Sequence, residues 1–227
     1  MLFLLAANER LKPFVTQCLK SLDALGYQWI IFDLGGLGFG EPYPIQDDTF
    51  NTCGYYKTSF KRYASRGMHK PQLIMEFIKN FSVSESKLVV YLDADTFVRQ
   101  RIDEIVEAYD VGVTVRHPRE WKLEGKSNAG VMFFRATKQT HLFLQQWICA
   151  TQTFGNDQKA LNSLLANPPC SIREFPARIY NWYYFPKPPP MDAKILHFKN
   201  SSRLHNAMSE QIWASACIVD KTGRSQT

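Results

Sequence analysis

Short apolar runs alternate with amphipathic patterns along the first part of the chain. Residues 2–7 form a continuous apolar run, which predicts a buried strand. Asn8 is placed to cap a helical pattern that ends at Gly26. The apolar positions of that helix recur every three or four residues and are Leu11, Phe14, Val15, Cys18, Leu19, Leu22 and Leu25. Residues 27–34 then predict a second strand, so the chain opens with a strand, a helix and a strand.

The same alternation continues through the middle of the sequence. Residues 35–56 are rich in Gly, Pro, Asn and Asp, which predicts a loop. A second helix is predicted just after Pro71, with apolar positions at Leu73, Ile74, Phe77, Ile78 and Phe81. The remaining predicted strands are 87–92, 112–116, 131–134 and 194–198, and the remaining helices are 137–154 and 157–165. This order predicts one α/β domain over residues 1–203, with a mixed, mostly parallel central sheet flanked by helices. Residues 204–227 form a tail whose role the sequence does not reveal.

Composition agrees with one globular domain and leaves the partner open. The chain has 227 residues, of which 45% are hydrophobic and 21% charged, with a net charge of +6. A basic balance suits nucleic acid, an anionic membrane surface or a phosphorylated substrate. Five basic residues lie close together in the sequence, at Lys57, Lys61, Arg62, Arg66 and Lys70. They could form a surface that attracts phosphate or simply a solvated basic face. Since no nucleic-acid-binding module accompanies them, we do not expect a nucleic-acid partner.

Cysteine usage and hydropathy bear on the compartment. The five cysteines are scattered without a CxxC pair or a zinc-like cluster, at Cys18, Cys53, Cys149, Cys170 and Cys217. This pattern favours a reducing cytoplasm. No apolar run reaches transmembrane length, so only peripheral membrane contact stays open. The sequence is silent on the oligomeric state.

Asp93 and Asp95 are the most informative candidate site residues. They follow the apolar run 88–92 directly, at the carboxyl end of a predicted central strand, where open α/β sheets bind their ligands. In an extended chain, residues two apart point to the same face, so two hard oxygen ligands would converge on Mn²⁺ or Mg²⁺. Such a cation can bridge a diphosphate. The alternative is that this short pattern marks a turn or a helix cap.

A second enzyme class carries the same string. Haloacid-dehalogenase-like phosphatases have a D-x-D string after an apolar strand, which would make Asp93 a nucleophile and Asp95 an acid/base. That motif normally lies on the first strand, whereas here two strand–helix units precede it.

Three further blocks complete an ordered set of motifs. They are N-A-G-V-M-F-F-R-A-T from Asn128, N-D-Q-K-A-L-N from Asn156 and I-L-H-F-K-N from Ile195. Together with Asp93-Ala94-Asp95, this order resembles the retaining GT-A glycosyltransferases, a Rossmann-like fold, and especially the glycogenin-like family 8 and family 77. The resemblance runs from the first strand to about residue 200.

The resemblance implies a role for each matching residue. The donor-binding set is Ala6, Ala7 and Asn8 for the nucleoside, Lys70 for donor or phosphate, Asp93, Ala94 and Asp95 for the diphosphate, and Asn128 and Ala129 for the sugar. The metal set is Asp93, Asp95 and His197, and the catalytic pair facing the donor sugar is Asp157 and Gln158. The small residues beside Asn128 would admit a ligand close to the backbone. From the residues alone, His197 fits a packed strand histidine better than a metal ligand, and Asp157 also fits an ordinary helix cap.

One departure from the pattern concerns the segment after His197. Family 8 members usually continue with a glycine and a Lys-Pro-Trp string, whereas this chain continues F-K-N-S-S-R. Lys199 or Arg203 would then serve the diphosphate instead.

The sequence therefore predicts a metal-dependent glycosyltransferase. It would move a sugar from a nucleotide diphosphate, with UDP-sugar as the first candidate, to a glycan, protein or small-molecule acceptor, with retention implied by the resemblance. The alternatives left open are the phosphatase and a nucleotide-sugar-binding protein without turnover. A nucleotidyltransferase would need a glycine-rich loop after the first strand, and A-A-N-E-R from Ala6 contains no glycine.

Overall fold

The structure is a computed structural model that describes residues 1–34, 37–38, 54–57, 70–80, 87–183 and 187–199. Its strands are β1 Leu2–Ala7, β2 Gln28–Asp33, β3 Gly54–Lys57, β4 Leu88–Asp93, β5 Thr96–Val98, β6 Val111–Val115, β7 Ser127–Arg135, β8 Ile172–Pro176 and β9 Ile195–His197. Its helices are α1 Lys12–Ala24, α2 Lys70–Asn80, α3 Trp121–Glu124, α4 Lys138–Phe154, α5 Asp157–Leu164 and α6 Ala177–Tyr180.

Seven of these strands form one sheet in the order β3-β2-β1-β4-β7-β6-β8. The strands pair in parallel except at β7, which runs antiparallel to both β4 and β6. The fold class predicted from the sequence, a mixed and mostly parallel sheet flanked by helices, is confirmed. A second sheet of two strands pairs β5 with β9 and lies next to the end of β4.

Residues of β1 show why an unbroken apolar run makes a central strand. Leu2 and Leu4 are buried in a cluster with Phe77 of α2 and Trp147 of α4, whereas Phe3 and Leu5 are buried in a second cluster that includes residues of α1. Side chains alternate between the two faces of a strand, and helices cover both faces here, so every position must be apolar. Trp147 is fully buried, as expected for a packing residue.

Three local predictions were wrong. Asn8 makes no side-chain capping bond; a 3₁₀ turn at Glu9–Leu11 follows it, and α1 begins only at Lys12. Residues 54–56, predicted as loop, belong to β3 at one edge of the sheet. β7 begins at Ser127, four residues before the predicted start, because Ser127 and Asn128 pair with the end of β6 across a bulge. Residues 35–36 and 39–53 of the predicted loop lie outside the described residues.

Within the described ranges, no helix is long and apolar enough to span a bilayer. Cys18, Cys149 and Cys170 are free thiols, and the other two cysteines lie outside the described residues. Three of the five clustered cations, at 61, 62 and 66, also lie outside them, as does the whole tail from residue 204. The boundary at residue 203 stays a prediction.

Asp110 ties the start of β6 to β8 and to α4. Its carboxylate accepts hydrogen bonds from the Ser171 hydroxyl (2.6 Å), the Ser171 backbone N–H (2.9 Å) and the Thr137 hydroxyl (2.6 Å). Burial alone would raise the pKa of Asp110, but these hydrogen bonds outweigh it and lower that pKa below its usual value.

We predict that Asp110→Ala lowers the free energy of unfolding by about 1–3 kcal/mol at pH 7, because three hydrogen bonds to an ionised group are lost. The lowered pKa means that this contribution is complete above pH ~3.9 and is lost as the pH falls through the folded-state value. Urea unfolding at a series of pH values should therefore show the parent and the variant converging only below about pH 4. The control is Asp192→Ala, which removes an exposed pair with Arg178 and should cost under ~1 kcal/mol. An equal loss in both variants would contradict the prediction.

Candidate metal and donor site

Two acids and one histidine converge at the carboxyl end of β4. Asp93 is the last residue of β4, and Asp95 lies in the turn between β4 and β5. His197 reaches them because β9 pairs with β5, with Thr96 opposite His197. The His197 Nε2 atom lies 3.2 Å from Asp95 Oδ1 and 3.8 Å from Asp93 Oδ2. One ligand atom from each residue lies within 4.8 Å of the others, which is the spacing of a metal site.

Backbone hydrogen bonds hold this arrangement on both sides. The Phe198 N–H donates to the Asp95 carbonyl (2.8 Å), and the His197 N–H donates to the Trp182 carbonyl (2.7 Å). Residues 94 and 95 form a turn after β4. The two acids thus converge through this turn, rather than through the extended alternation that the sequence predicted. The ligand cluster is preformed by the pairing of two strands that are distant in sequence.

Lys70, the first residue of α2, joins this cluster to a third acid. Its buried ammonium lies 2.9 Å from Asp93 Oδ1 and 3.2 Å from Asp157 Oδ2, and it donates to the Ala129 carbonyl at 3.0 Å. Burial lowers the pKa of Lys70, but the charges of Asp93 and Asp157 outweigh burial and raise it. Burial likewise raises the pKa of Asp93, whereas the charge of Lys70 and its hydrogen bond to Asp93 bring it below its usual value.

The three N–H bonds of Lys70 are thus taken by protein acceptors. The expected contact of Lys70 with donor or phosphate would require one of them to be exchanged. What the structure shows is an ammonium that holds two carboxylates at fixed positions beside the cavity.

The helix α5 presents Asp157 and Gln158 to the start of β7. The Asn156 side chain caps α5 by accepting from the Lys159 N–H (2.8 Å), so the cap interpretation of Asp157 is wrong and its carboxylate faces Lys70. Gln158 accepts from the Ala129 N–H (2.9 Å) and donates to the Ser127 carbonyl (2.7 Å). Both ends of this amide are used, and they fix α5 against β7.

In β7, Asn128 has an unpaired polar atom, whereas Gly130 packs closely against His197. Asn128 is buried, and its Oδ1 accepts from the Gly130 N–H (2.8 Å), while its Nδ2 has no hydrogen-bond partner. A Cβ atom on Gly130 would lie 2.2 Å from His197 Cε1 and 3.0 Å from Asp93 Oδ2. The expectation that small residues here admit a ligand is corrected at Gly130, because the imidazole of His197 fills that space.

A cavity of about 820 Å³ opens over these groups. Its walls are formed by Lys70, Asp93, Asp95, Arg116, Gly125, Asn128, Gly130, Phe154, Asn156, Asp157, Gln158, Lys159, Asn162, His197 and Lys199. The ammonium of Lys199 lies 4.0 Å from the centre of the Tyr183 ring. A volume of this size suits a ligand much larger than a metal ion.

Other predicted donor-binding residues lie close by but do not line that cavity. Among the described residues, its walls do not include Ala6, Ala7, Asn8, Ala94 or Ala129. Ala6 pairs with Asp93 across β1 and β4, and the Ala94 side chain is buried. Asn8 follows β1, and its buried Oδ1 has no hydrogen-bond partner. Arg203 lies outside the described residues.

Several wall and support residues were not predicted. Arg116 is a buried cation whose guanidinium donates to the Gly125 carbonyl (2.9 Å), and its place at the end of a predicted strand was an available signal. Asn181, which contacts His197, and Thr114, which contacts Asn181, had no sequence signal.

We predict that Gly130→Ala disrupts the ligand cluster, since the added Cβ must displace His197. Calorimetric titration of Mn²⁺ should show binding at least about tenfold weaker than in the parent. The matched control is Gly26→Ala, because Gly26 has a φ of +69° and no atom near its would-be Cβ. That variant carries only backbone strain of about 1 kcal/mol and should titrate like the parent. Parent-like Mn²⁺ binding by Gly130→Ala would refute the packing argument.

The fold is similar to those of several solved glycosyltransferases. The galactosyltransferase LgtC, solved with donor and acceptor sugar analogues, superposes with a TM-score of 0.63 at 13% identity and covers 95% of each chain. A glycosyltransferase that acts in glycosylation of the major capsid of PBCV-1 gives a TM-score of 0.59 at 14% identity, over 93% of this chain and 98% of that one. The glycosyltransferase GlyE of Streptococcus pneumoniae TIGR4 gives 0.58 at 17% identity, over 96% of this chain and 60% of that one.

These likenesses establish the GT-A fold. No curated protein matches the sequence. Residues 47–219, however, match the nucleotide-diphospho-sugar transferase family, a span that includes the acids, the β7 segment and His197. The chain therefore belongs to the nucleotide-diphospho-sugar transferase family and is a glycosyltransferase.

Proposed function

We propose that this protein transfers a sugar from a UDP-sugar to an acceptor with retention, using a divalent cation held by Asp93, Asp95 and His197. The observation that carries the proposal is the convergence of these three side chains on the wall of a cavity large enough for a nucleotide sugar. Retention and the UDP donor rest on the resemblance to families 8 and 77. The scattered cysteines support a cytoplasmic location as part of the same proposal.

The three proposed metal ligands fit Mn²⁺ or Mg²⁺. Two carboxylates and one imidazole combine hard oxygen with nitrogen, which suits Mn²⁺ especially, and three protein ligands leave positions for phosphate oxygens. When bound, the cation supplies charge neutralisation for the departing diphosphate. Lys70 keeps Asp93 ionised and oriented for this role, since their atoms lie 2.9 Å apart.

Two unpaired polar atoms support the proposed donor contacts. Asn128 Nδ2 is a buried donor on the cavity wall, suited to a sugar hydroxyl. Asn8 Oδ1 is a buried acceptor after β1, suited to an N–H group of the nucleobase or a ribose hydroxyl. Unsatisfied buried groups are costly, so each gains from a ligand that supplies its partner.

Asp157 and Gln158 remain the proposed catalytic pair. The Asp157 carboxylate, held by Lys70, would support positive charge at the anomeric carbon or accept from sugar hydroxyls. Gln158 would present its carbonyl oxygen to the same face while it fixes the start of β7. Lys199, which also lines the cavity, would stabilise the leaving diphosphate.

The phosphatase alternative is disfavoured by the fold. Three strands precede β4 in the sequence, whereas the phosphatase motif belongs on the first strand. Asp93 contacts Lys70 and His197, which suits a ligand better than an attacking nucleophile. A binding protein without turnover is distinguished by experiment.

We predict that UDP-sugars with Mn²⁺ raise the melting temperature by about 5–10 °C at 100 times Kd, because ligand binding then adds about 2.7 kcal/mol. GDP-sugars should stabilise less. UDP release, measured by a coupled assay with an acceptor panel, should follow.

Asp95→Asn should abolish the Mn²⁺-dependent shift without changing the melting temperature of the free protein by more than a few degrees. Stabilisation without any release would favour the binding protein, and parent-rate transfer by Asp95→Asn would rule out the metal assignment.

We also predict that Asp157→Asn lowers kcat by about 10²–10³-fold while leaving Kd for UDP within a few fold. The reason is that Asp157 is proposed to act on the donor sugar and is not one of the three proposed metal ligands. Steady-state kinetics and calorimetry on the same preparation separate the two effects. The control is Asn156→Ser, which retains a helix-capping oxygen and should keep near-parent kcat. An equal loss of UDP affinity and kcat in Asp157→Asn would contradict a role confined to the sugar.

A further inference from the structure

A chain of buried hydrogen bonds leads from β7 to the far side of the His197 ring. The Thr114 Oγ1 atom lies 3.0 Å from the Asn128 carbonyl and 3.3 Å from the Val131 carbonyl. Asn181 Nδ2 lies 2.8 Å from Thr114 Oγ1, and Asn181 Oδ1 lies 2.8 Å from His197 Nδ1. Thr114 and Asn181 are fully buried and His197 is 4% exposed, so the direction of each bond is set by these groups.

Counting the available hydrogens determines which atom donates and which accepts in each of these hydrogen bonds. Backbone carbonyls only accept, so the single hydrogen of the Thr114 hydroxyl must go to the Asn128 or Val131 carbonyl. A lone pair of Thr114 Oγ1 then accepts from the amide NH₂ group of Asn181. The carbonyl oxygen of Asn181 is consequently turned toward the ring, where it accepts a hydrogen from His197 Nδ1.

The reversed Asn181 amide is disfavoured by the same count. Its oxygen would then lie beside Thr114 Oγ1, whose one hydrogen would face three competing acceptors. Two close oxygen–oxygen contacts would be left without a hydrogen, in a place where water does not compensate. Its NH₂ group would also face His197 Nδ1 as a donor and force the ring hydrogen onto Nε2.

We infer that Asn181, oriented by Thr114, is a positioning residue that fixes His197 as the Nδ1-protonated tautomer. The unprotonated Nε2 then points at Asp93 and Asp95 before any cation binds, ready to act as a ligand. Gly130 completes the support by letting the ring lie against the β7 backbone. The inference rests on the proposed metal role of these three residues, but the tautomer can be measured without a metal.

The test compares two variants of the chain with the parent. Asn181→Leu removes both hydrogen bonds with a side chain branched at the same carbon, and Thr114→Val removes only the hydroxyl that orients Asn181. The matched control is Thr140→Val, which removes a fully buried hydroxyl bonded to the Asp110 carbonyl (3.1 Å) at the other end of β6.

The first measurement is ¹⁵N NMR of histidine-labelled, metal-free protein at pH 8, with the His197 signals identified by their loss in His197→Gln. The parent and Thr140→Val should carry the ring hydrogen on Nδ1 alone, while Asn181→Leu should gain the Nε2-protonated form. Hydrogen on Nε2 in the parent, as the other tautomer or as imidazolium, would overturn the inference.

The second measurement is calorimetric titration with Mn²⁺ alone. Asn181→Leu should bind Mn²⁺ about 10- to 100-fold more weakly than the parent, and Thr114→Val about tenfold more weakly. Thr140→Val should lose stability but keep parent affinity. Equal affinities across all variants would overturn the inference. A parent that binds no Mn²⁺ would instead remove the metal from the proposed function, and the NMR result would then decide the tautomer alone.

Discussion

The site depends on one buried cation, Lys70, placed between Asp93 and Asp157. Ionised carboxylates beside apolar strands are costly to desolvate unless an opposite charge with good geometry compensates them. The contacts of 2.9 and 3.2 Å supply that compensation, and the Ala129 carbonyl takes the third hydrogen of the ammonium. Because α2, β4, α5 and β7 each contribute one of these groups, the four elements are fixed relative to one another at the cavity.

The central sheet could be predicted from the sequence because its signal is local. An apolar run such as residues 88–92 needs cover on both faces, and the amphipathic helices that supply it are visible as periodic patterns. Apart from the edge strand β3, the strands that were not predicted are β5 and β8, which are short: β5 has three residues, and two of the five residues of β8 are charged. Their stability comes from pairing with β9 and β6, which no local pattern reveals.

For the same reason, only part of the candidate site could be predicted from the sequence. Asp93 and Asp95 were predictable because their place at a strand end is a local feature, and His197 and Asp157 came only from the order of motifs. The ion pairs of Lys70 and the packing of Gly130 against His197 could not be predicted, because both are determined by long-range contacts. Lys70 meets acids from two other elements, and Gly130 meets a ring delivered by β9. Asn181 and Thr114 carry no motif at all, since their importance lies in a hydrogen-bond direction that exists only in the folded chain.

The reversed strand β7 has a consequence for how the site can vary. Because it runs against its neighbours, it delivers residues from its beginning, 127–130, to the edge where β1, β4 and β6 deliver their ends. The connection from β6 to β7 therefore lies at the cavity, and both Arg116 and Gly125 in it form part of the wall. Insertions or deletions in this connection would reshape the mouth of the cavity without altering the register of any strand. Divergence in acceptor choice could accumulate there while the core and the ligand cluster stay unchanged.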